Sequence, residues 1–184
     1  MKLLKNNKVK KGFTLVEILL VVGFIALAGI GIYTIYSKVQ VSNQANTESR
    51  NLDTLRAGIK SMYGGSPNFA SITNTVVNNA RITPDSMRDA ADASIITNTF
   101  GGVVTITPTT LGAAAAANNA FSITYANVPG AVCSKLVSSA GVQFNTVTVE
   151  GSPVKIFGTT TAMDLAEMAK ACNGDERTIV LSSL

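Results

Sequence analysis

Three patterns of hydrophobic and polar positions follow one another in the first third of the chain. Residues 1–12 carry five lysines. Residues 13–36 are apolar or small, and Glu17 is the one formal charge among these 24 residues. As a helix this segment reaches about 36 Å, which is enough to cross a hydrocarbon core of about 30 Å. The pattern therefore predicts a transmembrane helix over residues 13–36.

The helix is predicted to continue beyond this segment with a different character. After residue 37 the chain becomes polar, but apolar residues recur every three or four positions, which is one face of an amphipathic helix. These residues are Leu52, Leu55, Ile59 and Met62. Gly64, Gly65 and Pro67 then end the pattern. The sequence thus predicts one helix of about 50 residues, with an apolar first half and a second half that packs on a sheet.

The remaining chain alternates between short strand and helix patterns. These patterns predict a short helix over 83–91, a strand over 103–107 that Pro108 stops, an exposed loop over 112–119, a strand over 120–125 and a turn over 127–130. They further predict a helix over 131–137, a hairpin of 144–150 and 153–157 around Gly151-Ser152, a helix over 161–172 with Thr161 as its N-cap, and a closing strand over 177–181. The predicted fold class is α+β, a long N-terminal helix packed on an antiparallel β-sheet head.

Charge is distributed unevenly, and this changes what the net value means. The chain has 15 basic and 11 acidic residues, a formal net charge of +4. Without the five lysines of residues 1–12 the balance is ten basic against 11 acidic residues, or −1. Such a chain lacks the basic surface of a nucleic-acid-binding protein. The five lysines instead indicate that residues 1–12 stay in the cytoplasm and that residues 37–184 are sent outward.

Residues capable of chemistry are few. The chain has no histidine, which excludes Ser-His-Asp and Cys-His catalysis and histidine-ligated metals. No Gly-rich phosphate loop and no metal-spaced cluster is found, so neither an enzyme nor a cofactor is predicted. Asp85, Asp89 and Asp92 recur at helical spacing. They are interpreted as a solvated acidic face, with calcium binding as the alternative.

The N-terminal segment has two simpler interpretations, a secretory signal peptide and a plain signal anchor. A secretory signal peptide has an apolar region of 7–15 residues followed by a small-residue cleavage site, whereas this run is longer and no such site follows it. A plain signal anchor leaves the charge of Glu17 unexplained, because a carboxylate inside an apolar span costs about 2.5–3.5 kcal/mol at a helix centre.

The junction of leader and apolar run resembles the processing site of type IV prepilins. The matching residues are Lys11-Gly12-Phe13-Thr14-Leu15-Val16-Glu17. The resemblance implies that a prepilin peptidase cuts after Gly12 and methylates the new terminus at Phe13. It also identifies Glu17 with the family's fifth-position glutamate, which the ammonium of Phe13 in an adjacent subunit would neutralise. That pair would set the axial register of a filament, as a single buried polar residue does in coiled coils.

Two features of the head resemble the type IVb pilins. The sequence Asn98-Thr99-Phe100-Gly101-Gly102 is similar to a turn of that head. Cys133 and Cys172 lie on predicted helices before a final strand, as do the bridged cysteines of these pilins. An even number of cysteines in an exported head also favours a disulfide, with two free buried cysteines as the alternative.

The resemblance implies a major structural subunit of a type IV pilus. It divides the chain into a leader (1–12), a transmembrane and filament-core helix segment (13–36) and an extracytoplasmic head (37–184). The expected partners are other pilin subunits, the prepilin peptidase, the inner-membrane platform and ATPase of the assembly machinery, and the inner membrane before assembly. The filament would serve adhesion, aggregation or conjugative contact. The alternatives are a minor pilin or type II secretion pseudopilin, and, in another class, a membrane-anchored DNA-uptake protein.

Overall fold

The computed structural model describes residues 13–66, 68–159 and 162–184. The predicted leader with Gly12, the helix-ending Pro67 and the N-cap candidate Thr161 lie outside the described residues. The chain divides into two compact units, Met1–Gln40 and Val41–Leu184.

The first helix, α1, spans Leu15–Met62 and has 48 residues, which confirms the predicted length of about 50. In the first unit, residues 13–30 are all exposed. None of the helices that the structure describes combines the length and the apolar character that crossing a bilayer requires, and the membrane crossing of residues 13–36 stays a prediction.

The part of α1 in the second unit presents the predicted apolar face. Leu52, Leu55 and Ile59 are fully buried. Met62, predicted on the same face, is instead 37% exposed. Tyr63, the first residue after the helix, is buried instead, and its ring lies 5.2 Å from the Phe69 ring at a tilt of 34°. The amphipathic pattern was therefore correct up to the last turn.

The segment between α1 and the sheet contains one helix that the sequence did not predict. Helix α2 spans Asn74–Asn79, and the Thr73 hydroxyl accepts a hydrogen bond from the Val76 amide at 3.3 Å. The predicted helix over 83–91 is wrong, since only a single 3₁₀ turn forms at Asp85–Met87. Arg88 already has extended backbone angles and forms a β-bridge with Ile96, so the chain leaves the helical path there.

Five antiparallel strands form one sheet, in the spatial order β1-β2-β5-β3-β4. The strands are β1 (Val104–Thr109), β2 (Ala120–Pro129), β3 (Thr146–Val149), β4 (Ser152–Lys155) and β5 (Glu176–Ser183). The last strand of the chain thus lies at the centre of the sheet.

Two predictions about strand ends are wrong, and in both cases pairing extends the strand. Pro108 does not stop β1 but lies within it, which is possible because β1 is an edge strand and needs no hydrogen bond on its outer side. The predicted turn at 127–130 is also absent, because Val128 and Pro129 continue β2 and pair with Arg177 and Glu176 after a register shift.

The predicted hairpin is confirmed, but its turn lies one residue earlier. Strands β3 and β4 are joined at Glu150 and Gly151, with φ of 49° and 78°. Positive φ at both central residues is the requirement of a type I′ turn, the tight turn that fits the twist of paired strands.

Two helices accompany the C-terminal half of the sheet. Helix α3 spans Gly130–Ala140, and helix α4 spans Leu165–Ala171. The N-cap of α4 is Asp164, whose Oδ1 accepts from the amides of Ala166 at 3.0 Å and Glu167 at 2.9 Å. The predicted start at Thr161 is therefore too early.

The core of the second unit lies between α1, α3 and one face of the sheet. Its members are apolar side chains with almost no exposed surface, and they include Leu52, Leu55, Ile59, Phe121, Ile123, Leu136, Val137, Phe144, Val147, Ile179 and Leu181. The predicted α+β class, with helix packed on an antiparallel sheet, is confirmed.

Candidate functional site

The predicted processing and assembly residues lie at the start of α1. Phe13 precedes the helix and is 79% exposed, and Glu17 lies in its exposed first turn. The pair predicted between Phe13 and Glu17 joins different subunits, so a single chain does not test it. The structure does establish that both residues are on the surface of the isolated chain.

Thr14 adds a local role that the sequence reading missed. Its Oγ1 accepts a hydrogen bond from the Glu17 amide at 3.3 Å, and its carbonyl accepts from the Ile18 amide at 3.2 Å. Thr14 and Glu17 have the Ser/Thr-x-x-Glu spacing of a capping box, which is the signal that predicts this helix start. A glutamate in the first turn also interacts favourably with the helix dipole.

The predicted disulfide is present. Cys133 on α3 and Cys172, directly after α4, are bonded with their Cα atoms 5.6 Å apart. Both cysteines are buried, so the bond ties the two helices together inside the head.

The turn that resembles the type IVb head is fixed by Asn98. Its Oδ1 accepts from the amides of Phe100 at 3.0 Å and Gly102 at 2.9 Å, and its Nδ2 donates to the carbonyl of Ala126 at 2.7 Å. A Cβ at Gly102 would lie 1.9 Å from that same carbonyl oxygen, so only glycine allows the turn to approach β2.

A buried carboxylate holds this turn against α1. Glu48 has no exposed surface. Its Oε1 accepts from the Thr99 amide at 2.7 Å, and its Oε2 accepts from the Tyr125 hydroxyl at 3.1 Å and from Asn51 Nδ2 at 3.3 Å. Burial raises the pKa of Tyr125 well above its ordinary value, and the charge of Glu48 and this hydrogen bond raise it further.

Sequence reasoning missed Glu48, although a signal was available. Glu48 lies three residues after Ala45 and four before Leu52, both fully buried. An acidic residue in register with an apolar stripe faces the core and needs hydrogen-bond donors there. Sequence alone does not indicate which residues supply them.

The three spaced aspartates do not share a helix face. Asp85 forms an ion pair with Arg88 at 3.2 Å. Asp89 Oδ1 accepts from the Ala91 and Asp92 amides. Hydrogen bonds from the Ser94 hydroxyl and amide lower the pKa of Asp92. Each carboxylate therefore stabilises the local loop.

Solved structures show which class of protein has this fold. The crystal structure of TcpA, a type IV pilin from the Vibrio cholerae El Tor biotype, has a TM-score of 0.57 at 18% identity and covers 77% of this chain and 99% of its own. The type IVb pilin of Salmonella typhi also has a TM-score of 0.57, at 22% identity, and covers 74% of this chain and 97% of its own. The fold is that of a type IVb-like pilin.

Sequence comparison gives the family. The chain is 26% identical over 186 residues to the major structural subunit of the bundle-forming pilus of Escherichia coli O127:H6, covering 94% of this chain and 93% of that protein. It is 24% identical to the toxin coregulated pilin of Vibrio cholerae serotype O1, covering 77% of this chain and 62% of that protein. The family model described as PilS N terminal matches residues 42–184. The chain belongs to this family and is a type IVb-like pilin, a subunit of a pilus.

Proposed function

We propose that this protein is the major structural subunit of a type IV pilus that polymerises through its N-terminal helix. The observation that carries the proposal is similarity to a major pilus subunit along 94% of this chain and 93% of that subunit. It is proposed as a structural protein with no catalytic role, no cofactor and no direct nucleic-acid binding. The filament serves adhesion, aggregation or conjugative contact on the cell surface.

The exposed start of α1 supports polymerisation through this helix. Residues 13–30 are apolar or small apart from Thr14 and Glu17, and all of them are exposed in the isolated chain. Large exposed apolar surfaces mark sites of association. Packing the same segment of other copies around it would remove this surface from water, so a second copy of the chain is the partner that fits.

Processing and membrane passage belong to the same proposal. A prepilin peptidase cuts after Gly12 and methylates Phe13, and Glu17 then pairs with the Phe13 ammonium of a neighbouring subunit. Support comes from the sequence: five lysines, then glycine, then a long apolar run. In this proposal the precursor is located in the inner membrane before assembly, and a membrane platform with its ATPase adds it to the filament.

Electron cryo-microscopy and intact-mass analysis of sheared surface filaments test the proposal. We expect a filament whose repeating subunit is this chain, beginning at methylated Phe13. A filament built of another protein, with this chain at low stoichiometry, would indicate a minor pilin. A surface chain that retains residues 1–12 would refute the processing step.

A further inference from the structure

A cavity of about 480 Å³ opens between the end of α1 and the loop after β4. Its charged side chains are Arg56, Lys60 and Lys155, and no aspartate or glutamate side chain lines it, although Leu184 with the terminal carboxylate is also part of the wall. Sites for small molecules have volumes of roughly 300–1,000 Å³. The cavity therefore has the size of a ligand site and a positive lining.

Lys155 supplies charge but no free donor. Its Nζ donates to the carbonyls of Gly141, Val142 and Phe144 at 3.2, 3.1 and 2.6 Å. An ammonium has three N–H groups, so all are used. Burial and the charge of Arg56 lower the pKa of Lys155, as expected where positive charges are concentrated.

Arg56 and Lys60 supply the donors. They lie four residues apart on α1 and so share one face. Arg56 Nε donates to Ser183 Oγ at 3.1 Å, and its guanidinium lies over the Phe144 ring, which leaves its two terminal nitrogens without a hydrogen bond to any described residue. Lys60 is exposed and likewise has no partner in the described part of the chain.

No carboxylate neutralises these two cations. Among the described residues, no ion pair joins either of them to an acid, the chain terminus at Leu184 included. Asp53 is close enough to Arg56 to interact through charge, but it does not line the cavity. An anion entering the cavity would therefore find N–H donors of Arg56 and Lys60 that no ion pair occupies, with the Leu184 carboxylate as the one acidic group in the wall.

The rest of the wall has the chemistry of a sugar site. Phe157 is 38% exposed and adds an aromatic ring to the wall, while Gln143 and Asn145 add side-chain amides, of which Asn145 Oδ1 already accepts from the Leu184 amide. An aromatic face packs on the apolar side of a sugar ring, and amides bond its hydroxyls. A guanidinium binds a carboxylate through two parallel hydrogen bonds.

We propose that this cavity binds an acidic sugar, with the carboxylate at Arg56 and Lys60 and the ring against Phe157. The proposal goes beyond subunit polymerisation, because it gives the pilus a class of ligand. A neighbouring subunit's acidic side chain is the competing occupant. The concave wall, which combines an aromatic ring with amides, favours the sugar.

Saturation-transfer NMR on sheared filaments of the full chain tests the proposal, with glucuronate as the probe. We expect saturable glucuronate signals, and at least about tenfold weaker binding of glucose, which lacks the carboxylate. Inorganic phosphate should compete weakly, since it does not reach the aromatic wall. Equal binding of glucose, or phosphate binding as tight as that of glucuronate, would overturn the proposal.

Lys60→Gln is the variant of choice, because Arg56 also contacts Ser183 and Phe144 and its loss would disturb packing. We expect Lys60→Gln to weaken glucuronate binding about tenfold, and the matched control Lys170→Gln, an exposed lysine on α4, to leave it unchanged. Unchanged binding in Lys60→Gln overturns the proposal, and so does a loss of filament yield with binding intact, which identifies a subunit contact. If no filaments form, the measurement on the full chain in detergent micelles tests the cavity independently of polymerisation.

Discussion

The hydroxyl of Tyr125 on β2 donates a hydrogen bond of 3.1 Å to the carboxylate of Glu48 on α1, and both side chains are completely buried. The two residues are 77 positions apart in the chain. Thr99 and Asn51 provide the other donors to this carboxylate. A buried charge is tolerated only when hydrogen bonds replace its lost hydration, so this network determines how the 98–102 turn and β2 meet the helix.

Glu48→Gln should lower the free energy of unfolding by about 1–3 kcal/mol. Both carboxylate oxygens accept hydrogen bonds, so the NH₂ group of the glutamine must face either the Thr99 amide or the donors of Asn51 and Tyr125. Urea unfolding of the full chain in detergent micelles measures the change. In a double-mutant cycle with Tyr125→Phe, the double variant should lose less stability than the sum of the losses of the two single variants.

Tyr63→Phe is the matched control for the tyrosine change. Its hydroxyl forms a hydrogen bond of 3.0 Å with the neutral side chain of Ser71, whereas the Tyr125 hydroxyl donates to the Glu48 carboxylate. We expect it to cost less than Tyr125→Phe and to add independently to Glu48→Gln. Full additivity of Glu48→Gln with Tyr125→Phe would contradict the network.

Removing the disulfide should destabilise the head by about 4 kcal/mol, the chain-entropy value for cysteines 39 positions apart. The double variant Cys133→Ser, Cys172→Ser removes the bond, and urea unfolding measures the loss. Non-reducing peptide mass spectrometry of the exported wild type should show the two cysteines linked. Wild type treated with reductant is the control. A decrease in unfolding free energy below about 1 kcal/mol in both the double variant and the reduced wild type would contradict a stabilising role of the disulfide.

Asp53→Asn should make the protein more stable at pH 7. Burial raises the pKa of Asp53, the positive charge of Arg56 partly opposes this shift, and one carboxylate oxygen is buried without a hydrogen bond among the described residues. With its pKa raised in the folded state, Asp53 favours folding while protonated, and this contribution is lost as the pH rises through the folded-state pKa. Asparagine keeps the shape and avoids the charge.

Urea unfolding at pH 3, 5 and 7 measures this difference. The advantage of Asp53→Asn should be largest at pH 7 and should disappear towards pH 3, where the aspartate is protonated in both states. Asp175→Asn removes an equal charge at an exposed site and controls for net charge. A variant less stable than wild type at pH 7 would show that the carboxylate is stabilising.

Glu17→Ala should prevent filament assembly without changing the stability of the head. Glu17 is exposed on an apolar segment of the isolated chain, and the proposed partner is the Phe13 ammonium of another subunit. The ratio of sheared filaments to unassembled subunit measures the effect. Glu17→Gln tests charge separately, because it keeps the shape of the side chain but removes the charge that an ion pair needs.

Glu176→Ala, on the exposed start of β5, is the control for losing one acidic residue and should assemble normally. Normal filament yield from Glu17→Ala, with Phe13 correctly processed, would refute the ion-pair mechanism. It would leave Glu17 as a residue of the helix cap alone.

Local patterns in the sequence determined the elements whose hydrogen bonds join residues close together in the chain. The spacing of Leu52, Leu55 and Ile59 predicted the amphipathic part of α1, because a helix face repeats every three to four residues. The hairpin of β3 and β4 was predicted from alternation around a glycine. Both depend on hydrogen bonds between residues a few positions apart, which composition and spacing encode directly.

The tertiary structure alone decided the elements that depend on distant pairing. Strand β5 lies between β2 and β3, so Ser182 pairs with both Ser122 and Thr146. Pairing also carries β1 through Pro108 and β2 through Pro129, where local rules predicted an end. Glu48 is buried because donors from three separate segments converge on it. These arrangements depend on which distant segments pack together when the chain folds. A local repeat of apolar and polar residues carries no information about such distant contacts.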